Sequence, residues 1–282
     1  MTLSAAPKVQ VHGHRGARAV LPENTMPAFE YAIQIGADVL ELDLAVTKDD
    51  VLVVSHDPVL NPKICTAPPG TPTVIRELTL AELKTWDCGS LRHPDFPRQK
   101  PVPGARIPTL DEVLALAPKG DFEFNIETKI FPKRPELTPS PKRFAELLLE
   151  AIRRHGLEAR VMVQSFDYRT LHAMRRLAPE MRRSALYGVG MRSFVSIGRE
   201  AEAQIVSPNH RLVTRRKVAD AQAAGMEVVP WTANTPAEWE RLIRAGVDGI
   251  ITDDPAGLIE WLRGRGLRSD SLNRWASPGP GH

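Results

Sequence analysis

A chain of 282 residues with 42% apolar and 25% charged residues has the composition of an ordinary globular protein and the length for one large core. A formal charge of +3 leans only mildly toward anionic ligands, and with no Lys/Arg stripe interleaved with aromatics it argues against a nucleic-acid partner. No stretch reaches the roughly 18 uncharged apolar residues of a membrane span, and residues 1–13 hold no apolar export signal, so the chain is expected to be cytoplasmic, with Cys65 and Cys88 as free thiols.

Lys8-Val9-Gln10-Val11-His12 reads as a first strand running into Gly13-His14-Arg15-Gly16-Ala17, whose glycines permit a tight exit that leaves His14 and Arg15 at the strand's carboxyl end. A helix over 26–35 follows, with Phe29, Ala32 and Ile33 on one face, Asn24 as N-cap and Gly36 as stop. The second strand, 38–44, is an apolar run broken by Glu41 and Asp43. Side chains on a strand alternate, so the two acids share one face and Leu40, Leu42 and Leu44 the other. Adjacent acids facing a core repel and lose hydration unless a cation lies between them; a hard divalent metal at the end of a barrel strand resolves this. A turn at Thr47-Lys48-Asp49-Asp50, where Asp50 is expected to tolerate a positive φ, returns the chain as a hairpin over 51–57 and brings His56 beside Glu41 and Asp43.

From residue 59 to 106 the alternation of strand and helix stops, and a structureless loop of that length is unusual, so the segment is expected to be an inserted cap over the strand ends with a short helix at 79–83. The pattern restarts with a capped helix ending at Leu116 and a strand over 122–129, with Asn125, Glu127 and Lys129 on one face. Strands at 160–165, 184–187, 204–207, 227–231 and 249–252 then alternate with helices at 142–155, 168–177, 194–200, 214–224, 236–244 and 255–263. Leaving the hairpin strand aside, this is the pattern of a (β/α)8 TIM barrel. The reading is one catalytic domain over 1–265, with the cap inserted after the second strand, and a flexible tail over 266–282.

Collected at the strand ends are His14, Arg15, Glu41, Asp43, His56, Glu127 and Lys129, a set suited to metal-assisted phosphoryl chemistry. Gln164, Ser165, Phe166 and Trp231 fall at strand ends as well. His210 is read as a solvent-facing loop histidine, Asp253 and Asp254 as caps of the last helix, Glu23 as an ion-pair partner orienting Arg15, and His12 as a hydrogen-bonded buried histidine.

His14-Arg15-Gly16, Pro22-Glu23-Asn24-Thr25, Glu41-Leu42-Asp43, Ser55-His56-Asp57-Pro58, Glu127-Thr128-Lys129, Ser165-Phe166, Trp231-Thr232-Ala233-Asn234 and the run 248–253 occur in that order across nearly all of the folded part. In these motifs the chain resembles the glycerophosphodiester phosphodiesterases. The resemblance implies that Glu41, Asp43 and Glu127 hold one divalent cation, Ca²⁺ or Mg²⁺. It also implies that His14 and His56 are the general acid/base pair and that Arg15 and Lys129 hold the phosphate. Phe166 and Trp231, from their place at predicted strand ends, are the candidates to wall the glycerol pocket. The implied substrate is a small glycerophosphodiester, cleaved to sn-glycerol 3-phosphate and an alcohol. Two alternatives stand beside this: a lysophospholipase D-like activity on single-chain lipids, and a catalytically silent barrel that binds a phosphorylated ligand. The presence of both histidines and all three acids speaks against the silent barrel.

Overall fold

The structure, a computed structural model, describes residues 9–269. In chain order its elements are β1 (Gln10–Gly13), α1 (Met26–Gln34), β2 (Val39–Val46), β3 (Leu52–Val54), α2 (Leu80–Leu83), α3 (Leu110–Leu114), β4 (Glu123–Thr128), α4 (Pro141–Arg154) and β5 (Val161–Ser165). They continue with α5 (Tyr168–Leu177), β6 (Arg182–Tyr187), α6 (Phe194–Ala201), β7 (Ile205–Pro208), α7 (Arg215–Ala223), β8 (Glu227–Val228), α8 (Pro236–Ala245), β9 (Gly249–Thr252) and α9 (Pro255–Arg263). The strands run β8-β7-β6-β5-β4-β2-β1-β9, parallel throughout, with β3 antiparallel on β2. Backbone bonds from Asp248 N to Val228 O (3.0 Å) and from Ile251 N to Pro230 O (2.9 Å) join β8 to β9 and complete the ring. The expected TIM barrel is the fold. The expected strand over 227–231 differs only in extent: Pro230 has no N–H and interrupts it, and pairing resumes at Trp231 opposite Asn209.

Strand alternation sorts the side chains as the sequence predicts. Leu40, Leu42 and Leu44 pack outward into the layer between strands and helices, with Phe29 of α1, Phe124 of β4 and Phe144 of α4. Inside the barrel a smaller apolar cluster of Val39, Met162, Ile205, Val229 and Ile251 lies under the inward-facing acids. At the amino ends of the strands Arg182 bridges Glu123 (2.6 Å) and Glu227 (3.3 Å). His12, fully buried and paired in register with Val39 and Ile251, has Nε2 3.4 Å from Gln10 Oε1 and no partner on Nδ1. Burial pushes its imidazole down to about 3, so it stays neutral.

Helix ends follow local chemistry. Ser140 caps α4 through Arg143 N, and Thr235 with Glu238 forms a capping box on α8, which stops at Gly246 in the left-handed region. At α1 the N-cap is Thr25 rather than the expected Asn24, which sits one position earlier at φ +55° with its amide turned to the barrel. Asp50 adopts φ +58° in the hairpin turn, as expected, and pairs with Arg76 (2.8 Å) and Arg143 (3.0 Å).

Residues 59–106 carry their own small core, in which Ile75, Leu78, Leu83 and Trp86 close over Ala45 of β2 and Val53 of β3. Short bridges pair Val59 with Val74 and Thr66 with Asp87. The expectation of free thiols is corrected here: Cys65 and Cys88 form a disulfide. That expectation rested on an argument about compartment, which carries no geometry, whereas the Thr66–Asp87 bridge brings the two Cα atoms to 4.0 Å in a buried pocket. Among the described residues no helix is long and apolar enough to cross a membrane. Of the expected tail, Arg268 is tied to Asp38 (2.6 Å) and to the Gly36 carbonyl (2.6 Å), while 270–282 lie outside the described residues.

Candidate active site

The exit from β1 is built by close approach. A Cβ on Gly13 would lie 2.2 Å from the Gly16 carbonyl oxygen, and one on Gly16 would lie 2.8 Å from the backbone of Ala28 in α1. Between them Arg15 is held at φ +50°, a conformation that a non-glycine residue adopts only when its surroundings over-determine it. They do. Its N–H donates to Glu41 Oε2 (3.0 Å), one guanidinium nitrogen pairs with Glu23 Oε1 (2.6 Å), and Nε lies 3.2 Å from Asp43 Oδ2. Glu23 thus orients Arg15, as the sequence suggests, and takes Arg18 on its other oxygen at 2.5 Å. Against the cost of burial, Asp43, Glu23 and Glu41 hold the Arg15 charge more firmly than usual.

Parallel pairing of β2 with β4 sets Asp43 directly opposite Glu127, and the inward alternation adds Glu41. Ligand oxygens of these three buried acids lie within 4.8 Å of one another. Burial, then Asp43 and Glu127, push the Glu41 carboxyl well above the usual carboxylate range. Burial also pushes Glu127 up, to about 7, although Lys129 Nζ sits 2.7 Å from it. For Asp43 burial is outweighed by Lys129 (3.2 Å) and Arg15, which hold it well below the usual range. With all three acids ionised, Lys129 and Arg15 would offset only two of them and leave the cluster one positive charge short of neutrality, and besides burial it is this mutual repulsion that pushes Glu41 and Glu127 up. Asp43 Oδ1 has no aligned hydrogen-bond donor. Hard oxygen donors with an unmet charge are what a divalent cation requires, so the residues fit such an ion. Glu41 is further held by Gln164 Nε2 (2.7 Å), which is itself held by Asn125 (3.1 Å), and Asn24 Nδ2 donates to Asp43 Oδ2 (3.0 Å).

Each histidine is backed by a carboxylate that an asparagine holds in turn. His14 Nδ1 lies 2.5 Å from Asp253 Oδ1, and Asn234 Nδ2 donates to Asp253 Oδ2 at 2.7 Å. His56 returns to the site because Ser55 N donates to the Asp43 carbonyl (2.9 Å) at the end of the hairpin. Its Nδ1 lies 2.8 Å from Asp57 Oδ1, and Asn61 Nδ2 donates to Asp57 Oδ2 at 2.9 Å. Carboxylates on Nδ1 favour the Nδ1–H tautomer and leave both Nε2 atoms able to exchange protons with a ligand. Burial lowers the basicity of His14, and Asp253 works against that.

A cavity of about 220 Å³ at the carboxyl ends of the strands is lined by all nine residues expected from the sequence to act in catalysis, metal binding or substrate binding: His14, Arg15, Glu41, Asp43, His56, Glu127, Lys129, Phe166 and Trp231. Phe166 and Trp231 meet edge to face with ring centres 5.5 Å apart, and Trp231 Nε1 donates to Ser207 O. Two readings are corrected. Asp253 does not cap α9, because Asp254 does so through Gly257 N and leaves Asp253 free to meet His14. The alternation of Gly249, Ile251 and Asp253 was the available signal, since it points Asp253 into the barrel. His210 is buried rather than solvent-facing, because its turn folds under α8 and Arg241 donates to its ring and its carbonyl.

With this geometry in hand, comparison with known proteins is specific. Residues 14–257 match the model of the glycerophosphoryl diester phosphodiesterase family. A glycerophosphodiester phosphodiesterase of Caldanaerobacter subterraneus is 36% identical over 91% of this chain and 98% of its own. A lysophospholipase D of Rattus norvegicus is 30% identical over 88% of this chain and 84% of its own. A crystal structure from Silicibacter pomeroyi, described as a candidate glycerophosphoryl diester phosphodiesterase, superposes with a TM-score of 0.86 at 32% identity over 92% of this chain and 94% of that one. The chain belongs to the glycerophosphoryl diester phosphodiesterase family.

Proposed function

We propose that this phosphodiesterase cleaves glycerophosphodiesters to sn-glycerol 3-phosphate and an alcohol, with His14 and His56 as the general acid/base pair and with dependence on one divalent cation. The observation that carries the reading is the single cavity in which both histidines face the Glu41, Asp43 and Glu127 cluster. Glu41, Asp43 and Glu127 would hold the Ca²⁺ or Mg²⁺, which when bound would supply positive charge to the phosphate's non-bridging oxygens. Arg15 and Lys129, already fixed by carboxylates, present their remaining N–H groups to the same phosphate. Charge on those oxygens grows as the bond to the leaving alcohol breaks, so fixed cations favour the transition state over the ground state. The two Nε2 atoms, each with its Nδ1 anchored, take a proton from the attacking hydroxyl and give one to the departing alkoxide. Phe166 and Trp231 wall the side of the cavity where the organic part of the substrate lies.

A second reading, cleavage of single-chain lysophospholipids, is favoured by one observation. Phe166, Val189 and Met191 are 49%, 84% and 95% exposed, and Gly188 packs beside Phe166 and Trp231 at the cavity. An apolar group at a site mouth suits an acyl chain. Its placement on the β5–α5 and β6–α6 loops differs from the inserted cap, where the sequence reading looked for such a rim. The domain reading is a proposal of the same kind: a single barrel over 1–265 with 59–106 as a cap over the site. For the compartment, the Cys65–Cys88 bond favours an oxidising location over the cytoplasmic one expected from the sequence, because disulfides are rare where glutathione keeps thiols reduced.

A panel of glycerophosphodiesters and lysophospholipids, assayed with and without chelator, tests both readings. Release of glycerol 3-phosphate that stops on chelation and returns with Ca²⁺ or Mg²⁺ is the expected result. Full turnover in metal-stripped protein overturns the metal dependence, and a preference for lysophospholipids lost in a Val189→Ser/Met191→Ser variant establishes the second reading.

A further inference from the structure

The two histidines differ in what holds them. The side chains of His14 and Asp253 are 13% and 7% exposed, so packing fixes that pair, whereas those of His56 and Asp57 are 35% and 40% exposed. A hydrogen bond this open to water stabilises little by itself and leaves its partners free to change rotamer. Asp57 therefore needs other anchors. Ser55 Oγ donates to its carbonyl (2.8 Å), and Asn61 Nδ2 donates to the Oδ2 that His56 does not use (2.9 Å). Asn61 is itself the start of a tight turn: its carbonyl accepts from Ile64 N (3.1 Å) and Cys65 N (2.9 Å), and its Oδ1 accepts from Lys63 N (3.1 Å). Cys65 is joined covalently to Cys88, whose N–H is tied to the Ala105 carbonyl (2.9 Å). An unbroken run of contacts leads from Cys88 through Cys65, Asn61 and Asp57 to His56, and these residues wall a cavity of about 20 Å³ behind the imidazole.

We propose that Asn61 is a positioning residue for His56 and that the Cys65–Cys88 bond fixes the turn that carries Asn61. This rests on the reading of His56 as a catalytic group. The inserted segment 59–106 then supplies the outer half of a His56–Asp57–Asn61 relay whose buried counterpart, His14–Asp253–Asn234, belongs wholly to the barrel. The cross-link replaces, for an exposed relay, the rigidity that burial gives the other.

Three variants and one reagent test it on the intact chain. Asn61→Ala removes one hydrogen bond and should lower kcat about tenfold while KM and divalent-cation affinity stay unchanged. Cys65→Ser/Cys88→Ser should lower kcat in the same direction. A water-soluble phosphine should do likewise to the native protein and nothing to the serine variant. In that reaction the phosphine takes an oxygen from water and becomes its oxide, and the disulfide gains two electrons and two protons to give two thiols. In a His56→Ala background, Asn61→Ala should cost nothing further. Independently of turnover, the His56 Nδ1–H signal in NMR should exchange with solvent faster in Asn61→Ala than in the native protein. Native kcat in both Asn61→Ala and the serine variant overturns the proposal, as does an equal loss in the His56→Ala background. If instead His56→Ala is fully active, the catalytic reading fails, and the exchange rate alone decides whether Asn61 positions the ring.

Discussion

Nδ1 of His14 lies 2.5 Å from Oδ1 of Asp253, a residue 239 positions later in the chain that reaches it because β9 pairs with β1 in the closed barrel. Asp253 is nearly buried, and His14 and Asn234 satisfy its two oxygens while its own N–H donates to Asn234 Oδ1 (2.9 Å). A buried carboxylate fixed in this way selects the imidazole tautomer and holds the ring plane, leaving Nε2 aimed into the cavity.

Asp253→Asn keeps the shape but can donate to Nδ1 and so favour the wrong tautomer. We expect kcat to fall about 10–100-fold, the range for loss of an outer partner of a site histidine, with divalent-cation affinity unchanged by calorimetry. Asp253→Ala combined with His14→Ala should be no worse than His14→Ala alone. An additive loss would mean that Asp253 supports the barrel rather than the ring.

The acid cluster predicts a cation requirement with a distinct fingerprint. Asp43→Asn removes the most firmly ionised of the three carboxylates, because Lys129 and Arg15 keep it charged. It should weaken binding of Ca²⁺ or Mg²⁺ markedly while the far-ultraviolet circular dichroism stays that of the native barrel. Unchanged cation affinity would remove Asp43 from the ligand set.

Most of the barrel and the inner wall of the site are legible in the sequence because both follow from period-two alternation. Glu41, Asp43, Glu127 and Lys129 need only their own strands to be placed on the inward face, and the hairpin carries His56 back to them. Relationships that depend on ring closure or on loop paths are not legible. Asn24 looks like a helix cap because its neighbours are a helix start; only the turn that pairs its N–H with the Arg15 carbonyl (3.0 Å) swings its amide to Asp43. Cys65 and Cys88 look like isolated thiols until the two strand-like passages around Thr66 and Asp87 are brought side by side. His210 illustrates the converse: a residue in a loop is buried because a later helix folds over it.

His12 predicts how acid unfolds the protein. Its folded-state pKa is lowered by burial from 6.5 to about 3. Between those values the unfolded chain binds a proton that the native state refuses, so stability is full above about pH 6.5 and declines as pH falls toward 3. At 1.36 kcal/mol per pKa unit the loss is at most on the order of 5 kcal/mol. His12→Leu fills the same buried space without titrating. In urea denaturation at pH 7 and pH 4.5, the native protein should lose more stability between the two than the variant does, and equal losses would exclude His12 as a major acid trigger.

The two histidines give the sharpest test of the chemistry. Each sits on its own carboxylate anchor, and neither is needed to hold Arg15, Lys129 or the acid cluster in place, so removing either should leave a site that still binds the phosphodiester. Proton transfer should fail. We expect His14→Ala and His56→Ala each to lower kcat by about 10²–10⁴-fold with a much smaller change in KM. If both act in one concerted step, the double variant should be little worse than either single one. A substrate that releases p-nitrophenolate needs no proton on departure, so it should restore turnover in whichever variant lacks the acid and leave the other impaired. The buried Asp253 beside His14 and the half-exposed Asp57 beside His56 make the pair inequivalent, so the rescue should be one-sided. Equal rescue of both variants, or native activity in either on the natural diester, would defeat the acid/base assignment and leave the cations as the main source of rate enhancement.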